Sequence, residues 1–303
     1  MIVAVCPSGT FVWDTDRKCP VHAIEFGTTL HSVSVGTDSV LLADSTAAAF
    51  HGLTRNGGVW NVGKRRPLPL PANAQPINGI ATTSSGATFI SFRDRTALIR
   101  PPYDSVEETP LVNLWSFAMT PDAKFVAFSL WHGKKVYVYD LKKKQIVQTF
   151  DGVFGQPTFS PDGRWLAIGF DTRTVLCKVG EWNVREFPRE TSGSLSAAPA
   201  FFPKSPILAI ADAISTVQLI DLRSFTAITR LIPPSKPLIK RIRISPDERR
   251  IAIGAGRELL QVWDLHAISN GLQNLGIESR IPVSDSRNHE DSASRELEIR
   301  FEQ

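Results

Sequence analysis

Cysteine is scarce, with three residues (Cys6, Cys19 and Cys177) in a chain of 303. An odd number without short paired spacing argues against both a disulfide framework and a Cys-based zinc site. The expectation is free thiols in a reducing compartment, and hence a cytoplasmic location. No apolar run approaches the roughly 20 residues that a membrane-crossing helix requires. The opening residues MIVAVCPSGTFVWD lack the charged start and long apolar stretch of an export signal. The six histidines (His22, His31, His51, His132, His266 and His289) stand singly, with neither His-x-His nor His-x-x-x-His spacing. No metal is therefore expected. Equally missing are a Gly-x-x-x-x-Gly-Lys phosphate cradle, a dinucleotide fingerprint and a Gly-x-Ser-x-Gly nucleophile elbow. Together these absences predict a chain that is not an enzyme and carries no cofactor.

What is present is punctuation. Glycine (20) and proline (21) interrupt short apolar segments throughout, which is the spacing of strands. The segments TFVWD, GGVWN, TALIRP, KVYVYD, TVLCKV, TVQLID and LLQVWD end at Asp14, Asn61, Pro101, Asp140, Val179, Asp221 and Asp264. They recur at about the 40 to 45 residues of a propeller blade, a four-stranded sheet unable to bury its faces alone. A second series precedes the first by a turn: IVAV, VLLAD, TFISF, FVAFS, WLAIGF, ILAIAD and IAIGA. Gly, Asp or Ser separates the two series, as in Phe170-Asp171-Thr172-Arg173, so each pair reads as an antiparallel hairpin. Before the second series comes a Ser/Thr-Pro-Asp core in AMTPDAK, TFSPDGR and IRISPDER. Proline there presets the first corner of a type I turn, while the aspartate can bond its own backbone two residues on.

The chain resembles the WD40 family through Trp13-Asp14 and Trp263-Asp264 at strand ends and Ser160-Pro161-Asp162-Gly163 between strands, over Met1 to about Leu265. The resemblance implies an all-β, seven-bladed β-propeller across 1–265. Counting strands by series leaves the first blade without its innermost strand and the last without its outermost. About 20 residues ahead of Met1 would supply both. Most WD40 blades carry a Gly-His pair before the inner strand; His31 is the one counterpart here. Asp44, Asp94, Asp171 and Asp212, in or near hairpin turns, are read as turn-stabilising.

After Asp264 the pattern becomes helical, with Leu265, Ile268, Leu272 and Leu275 on one face and Gly276 as the C-cap. A short helix is expected over 266–277, packed on the propeller, then a polar tail over 278–303. Within that tail, 296–301 alternates with period two and could close a blade. The string VWDLHAISNGLQNLGI resembles the ends of WD40 arrays fused behind bacterial serine/threonine kinase domains. That likeness implies a sensor-like portion of a signalling protein.

Charge adds little direction. The net charge is +4, and Lys64-Arg65-Arg66, Lys142-Lys143-Lys144 and Lys240-Arg241-x-Arg243 fall at different phases of the repeat without interleaved aromatics. They read as solvated surface rather than a nucleic-acid face. The expected function is a monomeric protein-protein interaction scaffold, working through loops that packing does not claim. Trp131 and His132, beside Lys134 and Lys135, form the strongest candidate contact. Arg93, Arg95, Arg173 and Arg257 occupy equivalent hairpin turns and could together attract an acidic partner. The alternative is a lactonase-like or hydrolase propeller, or a small-molecule binder, with its site at the central channel. The innermost strands, HSVSV, INGIAT, SFAMT, QPTFS, APAFF and KRIRI, offer it mostly hydroxyl and apolar groups.

Overall fold

In the computed structural model, residues 68–71, 76–83, 85–190, 197–233, 238–254, 260–279 and 281 are described in full; for the strands outside them, backbone pairing alone is described. Two compact units divide the chain, Met1–Val126 with Asp140–Lys144, and Ala127–Tyr139 with Gln145–Gln303. In both, antiparallel sheets follow one another along the chain, and those described in full are blades of a β-propeller.

The first unit opens with β1 (Ile2–Cys6), β2 (Gly9–Asp14) and β3 (Cys19–Ile24), paired in that order. A four-stranded sheet follows, of β4 (Ser32–Val35), β5 (Ser39–Ala43), β6 (Ala48–Asn56) and β7 (Val59–Pro67). Next come β8 (Ile77–Thr82), β9 (Thr88–Phe92), β10 (Thr96–Ile99) and β11 (Val106–Thr109). Every residue of β9 and β10 is buried, because a central strand is covered on both faces by neighbouring sheets. Phe89 and Phe92 are fully buried, each worth about 1.5 to 3 kcal/mol of removed apolar surface. Gly79 of β8 permits a close approach: a Cβ there would lie 2.9 Å from the Phe117 ring. That ring meets Phe89 edge-on at 5.3 Å.

The sheet of β12 (Leu114–Met119), β13 (Phe125–Leu130), β14 (Lys135–Asp140) and β15 (Gln145–Asp151) contributes residues to both units. The second unit continues with β16 (Gln156–Phe159), β17 (Trp165–Gly169), β18 (Arg173–Lys178) and β19 (Val184–Pro188). Then come β20 (Ala200–Phe201), β21 (Ile207–Ala211), β22 (Val217–Asp221) and β23 (Thr226–Leu231). The last sheet contains β24 (Ile239–Ile244), β25 (Arg250–Ala255), β26 (Leu259–Asp264) and β27 (Leu297–Arg300). Strand β21 shows why blades stack. Its even residues Leu208 and Ile210 join a cluster with Ala167 and Leu176 of the preceding sheet. Its odd residues Ile207, Ala209 and Ala211 join Ile242, Ile251 and Ile253 of the following one. Both faces of one strand are apolar, so neither can be left without a neighbouring sheet.

The expected seven-bladed propeller with incomplete end blades is corrected in two respects. The described residues establish five blades rather than seven, the four-stranded sheets from β8–β11 to β24–β27. The two sheets before them are defined by backbone pairing, and the packing that would make them blades lies outside the described residues. The sequence period counts hairpins, whereas a blade is made by packing against its neighbours. The last sheet, moreover, is not short of a strand, because β27 pairs antiparallel with β26, Leu259 opposite Arg300 and Val262 opposite Leu297. An alternating segment late in the chain can fill an edge as well as one ahead of the first residue.

Helix α1 (Leu265–Asn274) follows β26 directly. Asp264 is its N-cap, accepting from Ala267 N at 3.0 Å, which satisfies one of the free amides of the first turn. Leu265 is buried and Ile268 packs on the same core. Leu275, read as part of that face, is instead the C-cap and is 76% exposed. Gly276 takes φ 73° while Ile277 N donates to Leu272 O, a left-handed closure that ends the helix.

Candidate functional site

Three Ser/Thr-Pro-Asp turns are built alike. Thr120 Oγ1 accepts from Phe125 N at 2.9 Å, Ser160 Oγ from Trp165 N at 2.9 Å and Ser245 Oγ from Arg250 N at 2.9 Å. The aspartate two places on accepts from its own i+2 amide: Asp122 from Lys124 N, Asp162 from Arg164 N and Asp247 from Arg249 N. Burial opposes ionisation of Asp162, but the Ser160 hydroxyl and the amide and guanidinium of Arg164 hold its carboxyl below the usual range. The strand-end aspartates are also spent locally. Asp140 accepts from Lys142 N and Lys143 N, and Asp221 from Arg223 N at 2.7 Å. These hydroxyls and carboxylates hold the turns in which they stand.

In the first unit, Arg93 and Arg95 sit in the β9–β10 turn, Arg93 exposed. Arg95 pairs with Asp94 at 3.1 Å and with Glu108 of β11 at 3.4 Å. Its hydrogen bond with Asp94 raises the guanidinium pKa and lowers that of the carboxyl. Such exposed pairs add little stability but neutralise each other's field.

In the second unit, Trp131 and His132 form the tip of the β13–β14 hairpin. Trp131 is 50% exposed with its ring 6.5 Å from the imidazole, and His132 adopts φ 57°. Lys134 and Lys135 beside them are exposed. Arg173 begins β18, donates Nη2 to Asp151 O at 2.7 Å, lies 3.0 Å from Glu186 and covers the Phe170 ring at 5.3 Å. The Arg173 Nε to Glu186 contact is an ion pair rather than an aligned hydrogen bond. Arg257 lies outside the described residues, as does Asp44. Arg95 and Arg173 are thus each matched by a carboxylate, including one on the adjacent outer strand, and they belong to different units.

Asp212 departs from the turn role. Its nearly buried carboxyl meets Arg230 of β23 at 2.9 Å. Burial raises its pKa, with Arg230 pulling the other way. Arg189, itself buried, donates to Asp171 O at 2.9 Å and Ala211 O at 3.1 Å, joining the blade of β16–β19 to the next.

The inner strands of the second unit hold what the sequence did not reveal. Arg241 of β24 donates Nη1 to Gln156 Oε1 of β16 at 3.1 Å, two sheets away. Its guanidinium therefore lies in the space that β16, β20 and β24 border. Arg243, two residues on, shares its face of the strand, while Ile242 between them is buried in the core. Both arginines are exposed to solvent, with neighbouring protein limiting the hydration of their heads. This desolvation lowers the pKa of each, and Arg241 lowers that of Arg243 further.

Among the described residues no group of three or more His, Cys, Asp or Glu side chains could hold a metal ion. The Cys177 thiol is buried, and that burial pushes its pKa up to about 12, far from a reactive thiolate. A shallow groove of about 390 Å³ is bordered by Ser205, Asp221, Arg223 and Thr226, but Asp221 is bonded to its own turn. No helix among the described residues is long and apolar enough to cross a membrane. No protein-family model matches the chain, and no curated protein matches it in sequence.

Proposed function

We propose that this β-propeller is a non-catalytic interaction module that holds a partner protein through the β13–β14 hairpin. The observation that supports it is Trp131, a large aromatic side chain 50% exposed at a hairpin tip beside His132, Lys134 and Lys135. An aromatic side chain offers large contact area with few rotatable bonds, and a rim of cations adds orientation. The polar groups of the Ser/Thr-Pro-Asp turns are occupied by local bonds, which favours holding over chemistry. The likeness of the chain to WD40 arrays, and of its helical end to those behind bacterial kinases, supports a place in a signalling protein. A monomeric propeller in a reducing compartment fits the same reading.

The test is quantitative affinity capture from an extract of the source cells, comparing the unaltered chain with Trp131→Ala. Partner recovery should fall about tenfold, the equivalent of a lost interface anchor, while the melting temperature stays unchanged. Equal recovery by both proteins overturns the assignment of this hairpin. Turnover in a hydrolase panel or stoichiometric bound metal in the purified chain would instead favour a propeller enzyme.

A further inference from the structure

The setting of Arg241 and Arg243, side by side on one strand, carries a separate inference. Arg164, Arg173, Arg230 and Arg250 each have a carboxylate within 4.0 Å. Arg241 and Arg243 have none among the described residues. Arg241 Nη1 is bonded to Gln156 Oε1 and Lys240 O, and Arg243 Nη1 to Ile242 O. All three acceptors are neutral. The Nε and Nη2 donors of both guanidinium groups have no acceptor among the described residues. Those two N–H groups form the edge that binds an oxyanion in bidentate fashion.

Position adds to this. Alternate residues of a strand stand about 7 Å apart on one face, close enough for two guanidinium groups to converge on one tetrahedral anion. Gln156 is buried and anchors Arg241 without cancelling its charge. Two like charges side by side repel one another, and an anion with two negative charges relieves both.

We propose that Arg241 and Arg243, with Gln156 positioning Arg241, form a binding site for a phosphate dianion, either inorganic phosphate or the phosphate of a monoester. It is independent of the Trp131 hairpin, and its test uses only the purified chain and small anions, so either reading can fail alone.

Titration calorimetry of the full chain at constant ionic strength, with inorganic phosphate in one arm and O-phosphoserine in the other, reads the site directly. Saturable binding is expected, with the tighter ligand showing whether free phosphate or a monoester is the better fit. Arg241→Gln and Arg243→Gln should each weaken it at least about tenfold. Arg164→Gln, at an exposed turn, should leave it unchanged. Gln156→Glu keeps both arginines but places a carboxylate against Arg241, so it too should weaken phosphate binding by about tenfold even if an arginine variant fails to fold. Absence of binding up to about 10 mM, equal binding of acetate, or affinity that survives both Arg243→Gln and Gln156→Glu overturns the proposal.

Discussion

Glu248, in the turn between β24 and β25, reaches into the turn between β20 and β21, where it accepts from Ser205 N at 2.7 Å and from Ser205 Oγ at 2.5 Å. Lys204 N donates to the same carboxylate, and Glu248 is only 4% exposed. One side chain thus ties two neighbouring blades through the backbone of a tight turn. A buried carboxylate that gathers two amides and a hydroxyl is a charge-assisted bond set, and its loss leaves those donors unsatisfied. Glu248→Ala should destabilise the second unit by about 2 to 3 kcal/mol, and Glu248→Gln, which keeps one acceptor oxygen, by about 1 kcal/mol. Urea unfolding followed by tryptophan fluorescence checks both, and a loss within error for Glu248→Ala would remove the interblade role.

The same turn position recurs as Ala123, Gly163 and Glu248, with φ of 53°, 70° and 62°. Only glycine adopts that left-handed conformation without strain. Ala123→Gly should therefore stabilise by about 0.5 to 1 kcal/mol. Glu248→Gly relieves the same strain yet should still destabilise, because the interblade bonds vanish. Opposite signs at one backbone position are the expected result of paired denaturant melts; equal signs would mean that strain, not contact, governs the position.

Stability should respond to acid through the turn aspartates. The folded carboxyls of Asp162 and Asp247 are held below their ordinary value of 3.8, burial notwithstanding, by Ser160 and Ser245 hydroxyls and neighbouring amides. A depressed carboxyl contributes stability that is present above the unfolded pKa and lost as pH falls through the folded one. Asp212, raised by burial, acts in the opposite sense, its contribution lost as pH rises through its folded pKa. Urea midpoints measured from pH of about 7 down to about 3 should fall more steeply for the unaltered chain than for Asp162→Asn. Parallel curves would show that the Asp162 charge does not stabilise its turn.

Much of the local architecture was legible in the residues. The hairpins join segments adjacent in sequence, and the Ser/Thr-Pro-Asp turns and the Asp264 cap rest on bonds between residues two to five apart, so a short window of sequence contains every participant. The candidate site was legible only in part. Trp131 at a hairpin tip could be located by counting, but the state of Arg95 depended on Glu108 across a strand pair and that of Arg173 on Glu186. The Lys240-Arg241-x-Arg243 run looked like ordinary surface charge because nothing nearby in sequence places it beside Gln156.

By itself, then, the order of residues determined where strands begin and end, which turns join them and that the sheets need neighbours on both faces. Tertiary structure decided which sheets pack on one another as blades, that β27 completes the last of them, and which arginines meet carboxylates and which do not. The reason is range: strand and turn preferences act over a few covalent neighbours, whereas Arg241 meets a residue 85 positions away, a distance that only packing of intervening blades can close.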